Sequence, residues 1–103
     1  MLLNMESFPQ FNEIPLSAEQ VIEALKNNPE NIEALTKFID AREKTCKDGV
    51  DTLNLQIEIA RIQAAAGFID AARDSFEAAA YSAQQEGNDA LHEELLNELD
   101  RLG

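Results

Sequence analysis

The fold of this 103-residue chain depends most on residues 67–80, GFIDAARDSFEAAA. In this stretch Ala72, Phe76 and Ala79 follow Gly67 at offsets of five, nine and twelve residues. Small side chains at these spacings allow two antiparallel helices to approach closely near their turn, and a phenylalanine fills the space where the helices diverge. The stretch therefore predicts a tight helical hairpin with its turn at Gly67.

The rest of the sequence is also typical of an all-helical protein. Glycine (4) and proline (3) are scarce, and no stretch alternates apolar and polar residues as a half-buried strand would. We predict an extended apolar arm over residues 1–16 and one helical domain over residues 17–103. Its five helices are expected at residues 18–27, 29–47, 51–66, 69–85 and 88–102.

Capping residues and apolar periodicity support these bounds. Ser17 with Gln20 forms a capping-box pattern, and Asn28 before Pro29 suits the start of the second helix. Residues at three- and four-residue steps are expected to face inward: Val21, Ile22 and Leu25; Ile32, Leu35, Phe38, Ile39 and the stem of Arg42; Leu53, Ile57, Ala60, Ile62 and Ala64; Ala72, Phe76, Ala79, Ala80 and Ala83; Leu91, Leu95, Leu96, Leu99 and Leu102. Because the links are short, consecutive helices are antiparallel neighbours in a right-handed stack of hairpins or a small bundle.

Charge and composition exclude several classes of function. The formal net charge is −12, from 20 acids and 8 bases, so the surface repels nucleic acid and anionic lipid. No apolar run reaches the roughly 20 residues that span a bilayer, and the first ten residues lack a signal peptide pattern. With a single cysteine and no metal-binding spacing, we expect a cytoplasmic protein without disulfide, metal or cofactor.

The hairpin spacing resembles a known repeat. GxxxxAxxxFxxA, from Gly67 to Ala79, is the pattern of the second helix of a tetratricopeptide repeat (TPR), and Ala60 stands where that repeat places a small residue in its first helix. Residues 53–86 span 34 positions, the length of one repeat. Residues 59–102 look like the TPR-type regions of bacterial regulators, in which a repeat is followed by an acidic, leucine-spaced capping helix, here residues 88–102. The resemblance implies a TPR-like stack of antiparallel hairpins.

Each residue that could bind a metal or take part in a reaction also has a simpler structural interpretation. His92 beside Glu93 is part of a metal-site pattern, but the chain has one histidine and a carboxylate-bridged site needs two. Cys46 follows a helix C-terminus, which disfavours its thiolate, so an inert and partly buried thiol is expected. Residues 48–51, DGVD, lack the upstream acids of a calcium loop. We therefore predict no enzymatic activity.

The expected function is protein-protein interaction, as an adaptor, chaperone or regulator. TPR-like folds present their first helices on a concave groove, which implies Asn54, Glu58, Arg61 and Ala65 of the third helix as the recognition surface. Arg61 is the candidate for gripping a carboxylate of a bound peptide, or else it neutralises Glu58 or Asp70. The alternative function is an acidic decoy or inhibitor that covers a basic, nucleic-acid-binding protein surface.

Two features leave alternatives open. The acids of the last helix, Glu93, Glu94, Glu98 and Asp100, either dock a basic partner or serve as the solvated side of a capping helix. The arm carries seven large apolar side chains, which either pack on this domain or lie in a neighbouring subunit and form a homo-oligomer. Within this domain, the expected host is the seam between the first two helices and the start of the third.

Overall fold

The computed structural model describes residues 16–102, and this part of the chain is all-helical, as predicted. The elements in chain order are α1 (Ala18–Asn27), a 3-10 turn (Pro29–Asn31), α2 (Ile32–Glu43), α3 (Gly49–Ala65), α4 (Ile69–Gln85) and α5 (Asp89–Arg101). No strand occurs between residues 16 and 102. Of the predicted arm, only Leu16 belongs to the described residues, so the predictions for residues 1–15 lie outside them.

Capping side chains start three of the helices. Ser17 accepts a hydrogen bond from the amide of Gln20 at 3.1 Å, while the Gln20 side chain accepts one from the amide of Ser17 at 2.9 Å, which confirms the capping box. Asp48 caps α3 and Asn88 caps α5 by accepting bonds from backbone amides three residues ahead. Because Asp48 is the cap, α3 begins at Gly49, two residues earlier than predicted.

The second predicted helix, residues 29–47, is wrong at both ends. Asn28 does act as a cap, but it accepts a bond from Glu30 and opens a single 3-10 turn instead of an α-helix. The α-helix starts only at Ile32, which is exposed instead of facing inward. At the other end the Thr45 hydroxyl donates to the carbonyl of Arg42 at 2.8 Å, and the helix stops at Glu43.

The α3–α4 hairpin has the close packing that its small residues predict. Gly67 has φ +92°, a left-handed conformation that ends α3 and that residues with a side chain rarely adopt. Ala60 of α3 and Ala72 of α4 have no exposed surface, and Phe76 is buried beside them. The same turn recurs at Gly87, φ +78°, so α5 folds back against α4 in the same way.

Helix α3 is buried on two sides at once. One side packs against α4 and α5, in a cluster built from Leu53, Ile57, Ala60, Ala72, Phe76, Ala79, Ala80, Ala83 and Leu95. The other side packs against α1 and α2, in a cluster built from Val21, Leu25, Leu35, Phe38, Leu55 and Ile62. Leu55 was not among the residues predicted to face inward, because the prediction followed mainly one apolar stripe along this helix.

Four of the five predicted leucines of α5 are only half-buried, since that helix packs along one edge.

Replacing Phe76 by alanine should destabilise the protein by about 3 to 5 kcal/mol, because a buried aromatic ring leaves a cavity. The free energy of unfolding in urea measures the change. Tyr81→Ala is the matched control, since Tyr81 lies on the same helix with 64% of its surface exposed and should change stability little. Equal effects of both substitutions would contradict the assigned packing.

Replacing Ala72 by leucine should also destabilise the protein, by about 1 to 3 kcal/mol, because the larger side chain overpacks the close approach of α3 and α4. Ala78→Leu, at an exposed position on α4, is its control. A rise in the urea midpoint for Ala72→Leu would mean that the two helices have free space there.

Candidate functional site

A groove lies between α1, α3 and α5. It encloses about 740 Å³ and is open to solvent along its length. Six apolar residues and four polar residues line it: Ala18 and Ile22 of α1; Asn54, Ile57, Glu58, Arg61, Ile62 and Ala65 of α3; Leu91 and Glu94 of α5. Helix α3 forms the floor, and α1 and α5 form the walls.

The groove exists because the two buried sides of α3 leave a third strip uncovered. Asn54, Glu58, Arg61 and Ala65 are spaced by four, three and four residues, which places them on one helix face. This face lies between the side that packs on α4 and α5 and the side that packs on α1 and α2. The remaining side carries Gln63, which accepts a hydrogen bond from Ser75 of α4 at 2.5 Å.

Arg61 joins α3 to α5 across the groove. Its Nε and Nη2 donate to the two carboxylate oxygens of Glu98 at 3.1 and 2.6 Å, and Nη2 lies 3.5 Å from Glu94. No pair of Cα atoms from α3 and α5 lies within 8 Å, so this two-bond contact spans a gap between the two backbones. The contact links the floor of the groove to one wall.

The environment of Arg61 favours its charged form. The hydrogen bonds that Arg61 donates to Glu98 are the main cause that raises the pKa of Arg61 above its ordinary value, and the negative charges of Glu98 and Glu94 add to the rise, while partial burial opposes it. A raised pKa of a base means stability that is present below the ordinary value and is lost as the pH rises through the raised value. The contribution of Arg61 therefore persists throughout the neutral range.

Glu58, on the same strip, is also paired. Its carboxylate accepts a hydrogen bond from Arg42 of α2, and the guanidinium carbon of Arg42 lies 4.6 Å from the centre of the Phe38 ring. Both ion pairs of the groove thus run from α3 to a neighbouring helix. Glu94 forms the weakest ion pair of the groove carboxylates, since its contact with Arg61 is 3.5 Å long and 59% of its side chain is exposed.

The structure brings the predicted site residues together on one surface. Asn54, Glu58, Arg61 and Ala65 line the groove, and Glu94 of α5 lines its wall. Glu98 adjoins them through Arg61. The sequence interpretation assigned the acids of α5 to a separate face, and the structure divides them instead: Glu93 and Asp100 are exposed, whereas Glu94 and Glu98 lie at the groove.

One sequence interpretation of Arg61 needs correction. Arg61 does not neutralise Glu58 or Asp70, which lie beside Arg42 and Arg73. Its guanidinium group pairs with Glu98 instead, and its contact with a peptide carboxylate stays a prediction. The sequence interpretation missed the apolar walls, Ala18, Ile22 and Leu91, since the signal for them is only their apolar character on amphipathic helices.

Three further features of the described residues concern metal binding, the cysteine and membrane-spanning helices. Within residues 16–102, no group of three or more histidine, cysteine, aspartate or glutamate side chains is placed to hold a metal ion. Cys46 is half-buried, as expected, with its sulfur 3.5 Å from the carbonyl oxygen of Arg42. None of the helices in the described part of the chain is both long enough and apolar enough to cross a membrane.

Comparisons with known proteins leave the groove as the main guide to function: no protein-family model matches the chain, and no curated protein or solved structure is significantly similar to it.

A double-mutant cycle on Arg61→Ala and Glu98→Ala should give a coupling energy of about 0.5 to 1 kcal/mol, the upper part of the range for partly exposed pairs, because the contact has two hydrogen bonds. Urea unfolding of the four proteins measures it. The control cycle, Arg73→Ala and Asp70→Ala, should give a value near zero, since that pair is 3.4 Å apart and Asp70 is fully exposed. A coupling for Arg61 and Glu98 no larger than the control value would show that the bridge does not hold α5.

Proposed function

We propose that this protein is a non-enzymatic interaction module that binds an apolar peptide segment of a partner in the groove between α1, α3 and α5. The observation that carries the proposal is the groove itself, in which six of ten lining residues are apolar and four of these, Ala18, Ile22, Ala65 and Leu91, are exposed or half-buried. Apolar concavities of this kind are commonly binding sites, since leaving them in water is unfavourable. A partner segment would bury aliphatic side chains on Ile22, Ala65 and Leu91.

The polar groups of the groove suit orientation of a peptide better than chemistry. The Asn54 amide can donate and accept hydrogen bonds with a peptide backbone, and the exposed Glu94 can accept them from a partner amide or cation. The Arg61–Glu98 contact fixes one wall before binding, which reduces the ordering cost of association. The three helices thus form a largely preorganised receptor.

A TPR-like arrangement is part of the same proposal. The buried Ala60, Ala72 and Phe76 support it, because they give the α3–α4 hairpin the small and large contacts that the repeat pattern requires. Helix α5 then takes the place of a capping helix, and α3 takes the place of a first helix that faces the concave side. An adaptor, chaperone or regulator would all use such a surface.

A second function, the acidic decoy, is favoured by one specific observation. Residues 67–102 carry nine carboxylates and two guanidinium groups, and seven of the carboxylates are exposed away from the groove lining. Such a surface would attract a basic protein, with an affinity that falls steeply as salt rises. The outer surface of α4 and α5, not the groove, would then make the contact.

Panning a displayed library of random peptides against the full chain tests the groove. We expect selected peptides rich in aliphatic residues, whose affinity falls at least about ten-fold in Ala65→Arg, because an arginine there fills the groove floor. Ala78→Arg is the matched control, since Ala78 is also an exposed helical alanine but lies on α4, outside the groove. Its peptide affinity should stay unchanged, as should the helical content of both variants.

Two outcomes would contradict the groove proposal. One is that no peptide binds, and the other is that Ala65→Arg and Ala78→Arg weaken binding equally. Selection of lysine-rich peptides whose affinity disappears at high salt would favour the decoy function, and Glu77→Gln on the outer side of α4 should then weaken binding more than Ala65→Arg does.

A further inference from the structure

We propose that the groove recognises a partner segment with one lysine or arginine between aliphatic side chains, and that Glu94 of α5 holds this cation. The inference rests on the proposed function, since it names the chemistry of the segment that would fill the groove. Three features of the described residues support it: the charge balance of the groove, the exposure of Glu94, and the apolar residues on either side of Glu94.

The groove has one carboxylate in excess of its bases. Arg42 pairs with Glu58. Arg61 donates two hydrogen bonds to Glu98, and the nitrogen that contacts Glu94 at 3.5 Å is already bound to Glu98 at 2.6 Å. These five residues, with three carboxylates and two guanidinium groups, carry a net charge of −1. A partner segment with one positive charge would balance it.

The Glu94 carboxylate is free to accept further hydrogen bonds. Its side chain is 59% exposed, against 18% for Glu98. Its Oε2 atom contacts Arg61, whereas no hydrogen bond to its Oε1 atom occurs within residues 16–102. An ammonium or guanidinium group placed there would donate a charge-assisted hydrogen bond, which the bound segment would partly shield from water.

Apolar residues lie on both sides of Glu94 along the groove. The two glycine turns reverse the chain twice, so α3 and α5 run in roughly the same direction. Leu91 precedes Glu94 by about 4.5 Å along α5, at three residues. Ala65 follows Arg61, the residue that contacts Glu94, by about 6 Å along α3, at four residues. A cation bound to Glu94 would therefore have aliphatic contacts on either side.

The same arrangement disfavours a partner segment with a carboxylate or with several bases. A carboxylate would have to displace Glu98 from Arg61 and would lie beside the negative charge of Glu94. A second base would meet apolar lining, since Glu58 is already paired with Arg42. The groove would thus select a single positive charge, whereas a polybasic segment would find more carboxylates on the outer sides of α4 and α5.

The peptides selected by panning, titrated against the full chain, test the inference. Each peptide whose affinity falls in Ala65→Arg should contain one lysine or arginine with aliphatic residues on both sides. Its affinity should fall about five-fold in Glu94→Gln, the upper part of the range for a partly exposed ion pair. Glu93→Gln is the matched control, because it removes the same charge at the neighbouring exposed position, outside the groove lining, and should leave the affinity unchanged.

A change in the peptide separates the ion pair from any general effect on the fold. Replacing the base of the peptide by norleucine, which keeps an aliphatic chain, should weaken binding to the unchanged protein about five-fold. The same replacement should weaken binding to Glu94→Gln little further, because the pair is already broken. Binding to Glu93→Gln should fall by the same factor as binding to the unchanged protein. Calorimetric titration of each combination measures these affinities.

Failure of this inference differs from failure of the proposed function. Groove-binding peptides without a base, equal effects of Glu94→Gln and Glu93→Gln, or additive effects of the protein and peptide changes would overturn the cation site and leave the groove function intact. Groove-binding peptides with a carboxylate in place of the base would overturn it in favour of a contact with Arg61. If no peptide binds, or if Ala65→Arg has no effect, both proposals fail. A dimer in sedimentation that Ala65→Arg dissociates would assign the groove to a second copy of the chain and overturn the partner assignment.

Discussion

The structure depends on one constraint, which is that α3 packs against helices on two sides at the same time. Leu53 and Ile57 contact the α4–α5 side, while Leu55 and Ile62 contact the α1–α2 side. A helix held from both sides cannot rotate about its axis without exposing one of its apolar faces, so its orientation is fixed by burial alone. The strip from Asn54 to Ala65 is then left facing solvent, and the groove follows from the packing.

The small residues of the α3–α4 hairpin determine where the second wall of the groove lies. Ala60 and Ala72 bring the two helices together, and Phe76 fills the space further along. Because the α5 backbone lies close to α4 and more than 8 Å from α3, its distance from α3 is set indirectly, through the width of this hairpin. That distance is what allows a long arginine side chain, Arg61, to reach Glu98 while leaving an open volume beneath it.

Local features of the fold could be predicted from sequence, whereas contacts between distant helices could not. The bounds of α1 and α4 follow from caps and from glycine, which act within a few residues of each other. The end of α2 did not follow, since the amides of Thr45 and Cys46 change there to bonds with carbonyls three residues back, inside a run with good helical periodicity. That Asn54, Glu58, Arg61 and Ala65 share one face of α3 follows from their spacing of four, three and four residues. The pairing of Arg61 with Glu98 spans 37 residues and depends on the spacing of α3 and α5, which helical periodicity does not contain.

The charges are distributed differently in the groove and on the outer sides of α4 and α5, which the net charge of the chain does not reveal. In the groove, Arg42 and Arg61 pair with Glu58 and Glu98 and leave Glu94 as the one carboxylate in excess, so binding there would depend mainly on burial of apolar surface and little on salt. On the outer sides of α4 and α5, the carboxylates are exposed and outnumber the bases, and their field extends to about a Debye length from the surface. Such a field would mainly change how fast a charged partner arrives, while dissociation from the proposed groove site would be governed by the contacts made there. The two proposed functions are therefore compatible in one molecule, since an acidic outer surface would attract a basic partner and a groove of small net charge would hold an apolar segment of it.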